Sequence, residues 1–179
     1  MITDNLTLFT CTYNSNFLLK IMVMSFFKQI KKDIQVVILD NGNKEPCDSN
    51  FAEQFTVIDN KNYKLTPYFK DNISQNHCAS IDYALKNCIK TKYVLLCDCD
   101  IIFKKSIKTF FDYLDTLEDF DCIGEVGYDV FPPNRLFPYF CLINVDKFKS
   151  DNINYFDKKR CAIRKHGVGL YDTRLFFLC

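Results

Sequence analysis

Histidine is almost missing from this 179-residue chain, which has only His77 and His166. Its ten cysteines include no C-x-x-C pair. Together these shortages argue against a structural zinc centre, which needs closely spaced Cys and His ligands. Glycine is scarce, at five residues, and Gly167 and Gly169 in HGVGLYD are too few for a phosphate-cradling loop. Neither sign of charge dominates: the formal net charge is +1, so no overall field recruits nucleic acid. Lys31-Lys32, Lys104-Lys105 and Lys158-Lys159-Arg160 are scattered and read as solvated faces, so no nucleic-acid partner is expected. No positively charged leader precedes the first apolar run, and Phe17 to Phe27 is interrupted by Lys20 and too short to span a bilayer. The expectation is a cytoplasmic protein with reduced thiols, with room for peripheral membrane association.

What the chain has in quantity is apolar material. Hydrophobic residues make up 48% and aromatics 16%, including eighteen Phe and ten Tyr, which argues against disorder. No linker, repeat or low-complexity tract divides it, so residues 1–179 read as one domain with a sizeable core. The cysteines are scattered, many of them inside expected strands and helices, where they behave as small hydrophobes.

Strands are expected over Leu6–Thr12, Gln35–Leu39, Phe55–Ile58, Tyr93–Cys97, Cys122–Val126 and Phe140–Val145. Helical spacing marks Phe17 to about Lys31, His77–Ile89 and Ser106–Leu117, the first with apolar residues around much of its circumference. Ser15 or Asn16 is placed to cap the first helix, and Ser74 or Asn76 the second. Asn60–Gln75 and Tyr128–Pro138 read as irregular. This alternation implies an α/β fold with a mostly parallel twisted sheet flanked by helices.

One stretch organises the rest: YVLLCDCDIIF, Tyr93 to Phe103. A buried strand runs into Asp98, and a second carboxylate, Asp100, follows two residues later. In an extended chain Asp98 and Asp100 point to one side, and Cys97, Cys99 and Ile101 to the other. Two like charges that close call for a cation, and Mg²⁺ or Mn²⁺ with oxygen ligands completes its shell with phosphates and water. Open α/β sheets bind ligands at the carboxyl ends of their strands, where this pair lies. Acids after a strand also serve as plain turns or caps. Two other strand ends carry polar groups, Thr12-Tyr13-Asn14 and Asp40-Asn41. Tyr13 suits stacking on a base, and Asp40 suits accepting from ribose or a base N–H, although both also suit ordinary loop packing.

The segments TLFTCTYN, VVILDNG and YVLLCDCDII, in that order, resemble the nucleotide-sugar domain of GT-A fold glycosyltransferases, the family 2 group in particular. The likeness covers roughly residues 5–150. It implies a single GT-A (Rossmann-like) domain, with Asp98 and Asp100 holding Mn²⁺ or Mg²⁺ and, through it, the donor diphosphate. It also implies nucleoside contacts from Thr12, Tyr13, Asn14 and Asp40, and a sugar pocket bordered by Asn76, His77 and Ser80 in NHCASIDYAL. The expected partners are a nucleotide-diphosphate sugar, UDP favoured, and a glycan or glycoconjugate acceptor whose hydroxyl attacks with inversion. The catalytic carboxylate has no clean match: Asp172 in GLYDTR stands at about the right place, with Glu125 and Asp129 as rivals. His166 is either a third metal ligand or a surface residue, and Arg135 in PPNRLFPYF is a candidate for donor phosphate or acceptor. Two other classes share these features. A haloacid dehalogenase-type phosphatase also ends a strand in D-x-D, but its strand comes first in the chain. A non-catalytic nucleotide- or glycan-binding domain would fit a chain that stops at Cys179.

Overall fold

The computed structural model describes residues 1–42, 47–60, 65–66, 73–117, 120, 122–127 and 135–150. Strands β1 (Leu6–Thr12), β2 (Gln35–Asp40), β3 (Thr56–Asp59), β4 (Tyr93–Cys97), β5 (Cys122–Gly127) and β6 (Arg135–Asn144) form one sheet. Their order is β3-β2-β1-β4-β6-β5. The first four pair in parallel, while β6 runs antiparallel to both β4 and β5, so the sheet is mostly parallel as expected. Helices α1 (Asn16–Gln29), α2 (Ser49–Gln54), α3 (Ile73–Asn87), α4 (Ser106–Leu114) and α5 (Val145–Ser150), with a short 3-10 helix at Ile2–Asn5, complete the described elements.

The apolar runs that announce β2 and β4 exist because both faces of these strands are covered. Along β4, Leu95 and Cys97 join a core with Leu19, Met22, Val23 and Phe26 of α1 and Ile107, Phe111 and Leu114 of α4. Val94 and Leu96 face the other way, into a core with Cys78, Ile81, Ala84 and Leu85 of α3 and Phe148 of α5. One-residue alternation thus separates two helical layers, and it also decides which layer each residue after the strand meets.

Several boundaries differ from the sequence expectation. Helix α1 is less covered than its apolar pattern implies: Phe17 is 74% and Met24 63% exposed, so only one face is core. Ser15 stands at its N-cap position, but the hydroxyl donates back to the Tyr13 carbonyl at 2.9 Å instead of capping. Helix α3 begins at Ile73, which puts Ser74 and Asn76 inside it rather than at its cap. Strand β6 begins at Arg135, five residues before the expected Phe140, and passes through Pro138. The β5–β6 register shifts between Gly124 and Val126, and such an irregularity tolerates a proline that cannot donate to the ladder. Gly124 itself has no room for a side chain, since a Cβ there would lie 2.7 Å from the Phe140 carbonyl oxygen. Among the described residues, no helix is long and apolar enough to cross a membrane.

Candidate functional site

Parallel pairing brings the carboxyl ends of β1 to β4 to one edge. Thr12 lies beside Asp40, and Asp40 beside Asp59. The β1–β4 register ends at Phe9 beside Leu96, and its continuation sets Cys11 level with Asp98 and Thr12 level with Cys99.

The strand stops at Cys97, so Asp98 and Asp100 sit on a turn rather than an extended strand. The Ile101 N–H closes it on the Asp98 carbonyl at 3.4 Å. The alternation nevertheless carries through: Cys99 and Ile101 pack against the core that holds Cys97. Asp98 turns to the α3 side, where its Oδ1 lies 3.8 Å from His77 Nε2. Behind the turn, the Phe103 N–H donates to Ser25 Oγ of α1 at 2.9 Å, and the Phe103 and Phe26 rings meet edge to face at 5.0 Å. The acidic turn is therefore fastened to the core on its far side.

Burial pushes the Asp98 carboxyl above the usual carboxylate range; His77 opposes that and the nearby Asp100 charge adds to it. Burial likewise holds the His77 imidazole below its ordinary value, against the pull of Asp98. Two buried polar atoms here lack hydrogen-bond partners, His77 Nε2 and Thr12 Oγ1. The Thr12 hydroxyl lies beside the Cys99 thiol, near enough to influence its ionisation but outside hydrogen-bonding geometry. Orphaned atoms of this kind are rare in folded proteins and point to an additional ligand. Among the described residues, no three His, Cys, Asp or Glu side chains converge to hold a metal ion unaided. Two carboxylates on an accessible turn do fit a divalent cation that takes its remaining ligands from phosphate and water.

The other sequence-derived candidates fall into two groups. Tyr13 is 58% exposed at the sheet edge, and Asn14 adopts a left-handed backbone with φ 52° that turns the chain into α1. Ser80 is fully buried on α3, one turn beyond Asn76, whose carbonyl accepts from its hydroxyl at 2.8 Å. Asp40 is buried and engaged locally: Oδ1 accepts from the Gly42 N–H at 2.7 Å and Oδ2 from the Cys47 N–H at 2.8 Å. Asp172, Asp129 and His166 lie outside the described residues, as do the side chains of Glu125 and Arg135.

Sequence reading missed a polar chain that joins these parts. Asn41 Nδ2 donates to Ser80 Oγ at 3.1 Å, and Asn60 Nδ2 donates to Asn41 Oδ1 at 2.6 Å and to Thr66 Oγ1 at 2.8 Å. Asn60 follows β3 directly, just as Asn41 follows β2, and that shared strand-end position was the available signal.

No protein-family model matches the sequence, and no curated protein sequence matches it. Solved structures do. S. aureus TarS 1-349 superposes with TM-score 0.56 at 16% identity, over 84% of this chain and 50% of that one. The mannosyltransferase PcManGT from Pyrobaculum calidifontis, in complex with GDP-Man and Mn²⁺, gives 0.56 at 11% identity, over 82% and 46%. Glucosyl-3-phosphoglycerate synthase from Mycobacterium tuberculosis, in complex with UDP, gives 0.54 at 10% identity, over 79% and 57%. The chain spans about half the length of these proteins. At such identities the likeness is one of fold, and it agrees with the strand order and helical layers above: the chain has the GT-A glycosyltransferase fold.

Proposed function

We propose that this protein is a metal-dependent glycosyltransferase that moves a sugar from a nucleotide diphosphate, UDP favoured, to an acceptor hydroxyl with inversion. The observation that carries the reading is the Asp98–Asp100 turn, standing at the carboxyl edge of β4 beside an orphaned His77 nitrogen in a GT-A fold. Asp98 and Asp100 would hold Mn²⁺ or Mg²⁺, which supplies positive charge to neutralise the diphosphate.

The remaining work belongs to the chain's own groups. Tyr13 offers an exposed ring face to the nucleobase at the end of β1. Asp40 shapes the nucleoside side of the crevice through the loop it closes, since both its oxygens already accept backbone N–H groups. Asn41, Ser80 and Asn60 keep the floor between β2, β3 and α3 polar and fixed. Asn76 and His77 border the sugar side on α3. Arg135 is assigned to phosphate or acceptor, and Asp172 to removal of the acceptor proton as general base. The phosphatase and non-catalytic readings gain no support from any of these arrangements.

Titration calorimetry with UDP and Mn²⁺ tests this. Metal-dependent UDP binding that disappears in Asp98→Asn/Asp100→Asn is expected. Undiminished binding in that double variant would remove the assigned metal site, and release of phosphate from p-nitrophenyl phosphate would favour the phosphatase instead.

A further inference from the structure

We infer that His77 is itself a ligand of the donor-site cation, sharing it with Asp98, so that the site is a mixed nitrogen and oxygen site favouring Mn²⁺ over Mg²⁺. The inference rests on the glycosyltransferase reading only in requiring a cation at the acidic turn.

The geometry begins with α3. Cys78, Ile81, Ala84 and Leu85 are buried in the core beneath the sheet, which fixes the helix's rotation about its axis. His77, next to Cys78 near the start of the helix, is thereby aimed at the end of β4. Its Nε2 is buried and has no hydrogen-bond partner. The nearest acidic atom, Asp98 Oδ1, is 3.8 Å away, beyond the roughly 3.2 Å limit of a direct hydrogen bond. A separation of 3.8 Å is, however, what two ligands of one ion show. With metal–ligand bonds of about 2.1 Å, two atoms on one cation lie about 3 Å apart at a right angle and about 4.2 Å apart when opposed.

Among the described residues no three such side chains converge beforehand, so bound phosphate and water are needed to complete the shell. His77 and Asp98 supply two of about six ligands, with Asp100 on the same turn, diphosphate oxygens and water as the source of the rest. An imidazole in the shell also sets preference. Mg²⁺ takes oxygen ligands, whereas imidazole suits later divalent metals, and Mn²⁺ accepts both.

The chain has two histidines, His77 and His166, which makes the assignment testable by spectroscopy. Pulsed EPR of Mn²⁺ bound to the full chain, with pyrophosphate as the added ligand so that no nucleobase nitrogen is present, reads directly coordinated ¹⁴N. Nitrogen modulation is expected in the wild type and in His166→Gln. It is expected to vanish in His77→Gln and His77→Asn, with Mn²⁺ binding about 10- to 100-fold weaker and its preference over Mg²⁺ reduced. The wild-type spectrum stands whether or not either variant folds. Bound Mn²⁺ without nitrogen modulation, or modulation that survives in His77→Gln, overturns the inference and leaves the glycosyltransferase reading intact. Failure of the wild type to bind Mn²⁺ even with pyrophosphate removes both.

Discussion

Ser25 and Phe103 are joined across 78 positions of sequence: the Phe103 N–H donates to Ser25 Oγ at 2.9 Å, and that hydroxyl donates in turn to the Met22 carbonyl at 2.8 Å. A side chain from the middle of α1 thus ties down the segment that leaves the acidic turn. Phe103 is buried, so its N–H has no water to fall back on when the hydroxyl is removed. Ser25→Ala is therefore expected to lower stability by about 1–3 kcal/mol, the usual cost of stranding a buried donor. Urea denaturation measures this. Calorimetry on the same variant should show weaker Mn²⁺ binding, because the turn bearing Asp98 and Asp100 loses its anchor. Unchanged stability would mean that the contact contributes nothing net.

The two acids of that turn were legible in the sequence because a five-residue apolar run, buried on both faces, ends abruptly at Asp98. The same reasoning located β1 and β2. It missed α2 and α5, which have six residues each and give helical periodicity too little length to show. It also started β6 only at Phe140, after Pro138, because a proline reads as a strand breaker unless the partner strand is known to shift register there. The polar chain from Ser80 to Thr66 left no signal beyond the strand-end positions of Asn41 and Asn60. Its members are single residues on four separate segments, and only folding makes them neighbours.

Asp40 separates a direct role in nucleoside binding from an architectural one. Each of its oxygens accepts a backbone N–H, from Gly42 and from Cys47, on either side of the loop that follows β2. Asp40→Asn keeps one accepting oxygen and turns the other into a donor that faces an N–H. A stability loss of about 1–3 kcal/mol is expected by urea denaturation, from the acceptor lost inside a buried site. UDP affinity should fall through the displaced loop. A variant that keeps full stability but loses UDP binding would assign Asp40 to the ligand directly.

Thiol reactivity reports the same architecture through pH. Burial pushes the Cys47 thiol up to about 11, and Cys11 and Cys97 well above their ordinary values. Only the thiolate alkylates, so a raised pKa means a small reactive fraction at pH 8 that grows as pH climbs towards the raised value. Iodoacetamide at pH 8, read by mass spectrometry, should leave Cys97 and Cys141, both fully buried, unmodified in the folded protein. Cys47 should react more slowly than a free thiol, and its rate should keep rising up to about pH 11. Rapid labelling of Cys97 in folded protein would contradict its place in the core between α1 and the sheet.

Asn41 and Ser80 form the link by which the end of β2 is held to α3. Ser80 is fully buried, accepts from Asn41 Nδ2 at 3.1 Å and donates to the Asn76 carbonyl at 2.8 Å. Asn41 also accepts from Asn60 at 2.6 Å, so its removal strands groups on two other elements. Asn41→Ala is expected to cost about 1–3 kcal/mol, more than Ser80→Ala, whose loss leaves a single amide hydrogen unpaired. Because the two residues touch, their effects should not add. A double-mutant cycle in urea should give a coupling of about 0.5–3 kcal/mol. Additive losses would show that the β2 end and α3 are stabilised separately, and that the floor of the crevice is not one connected unit.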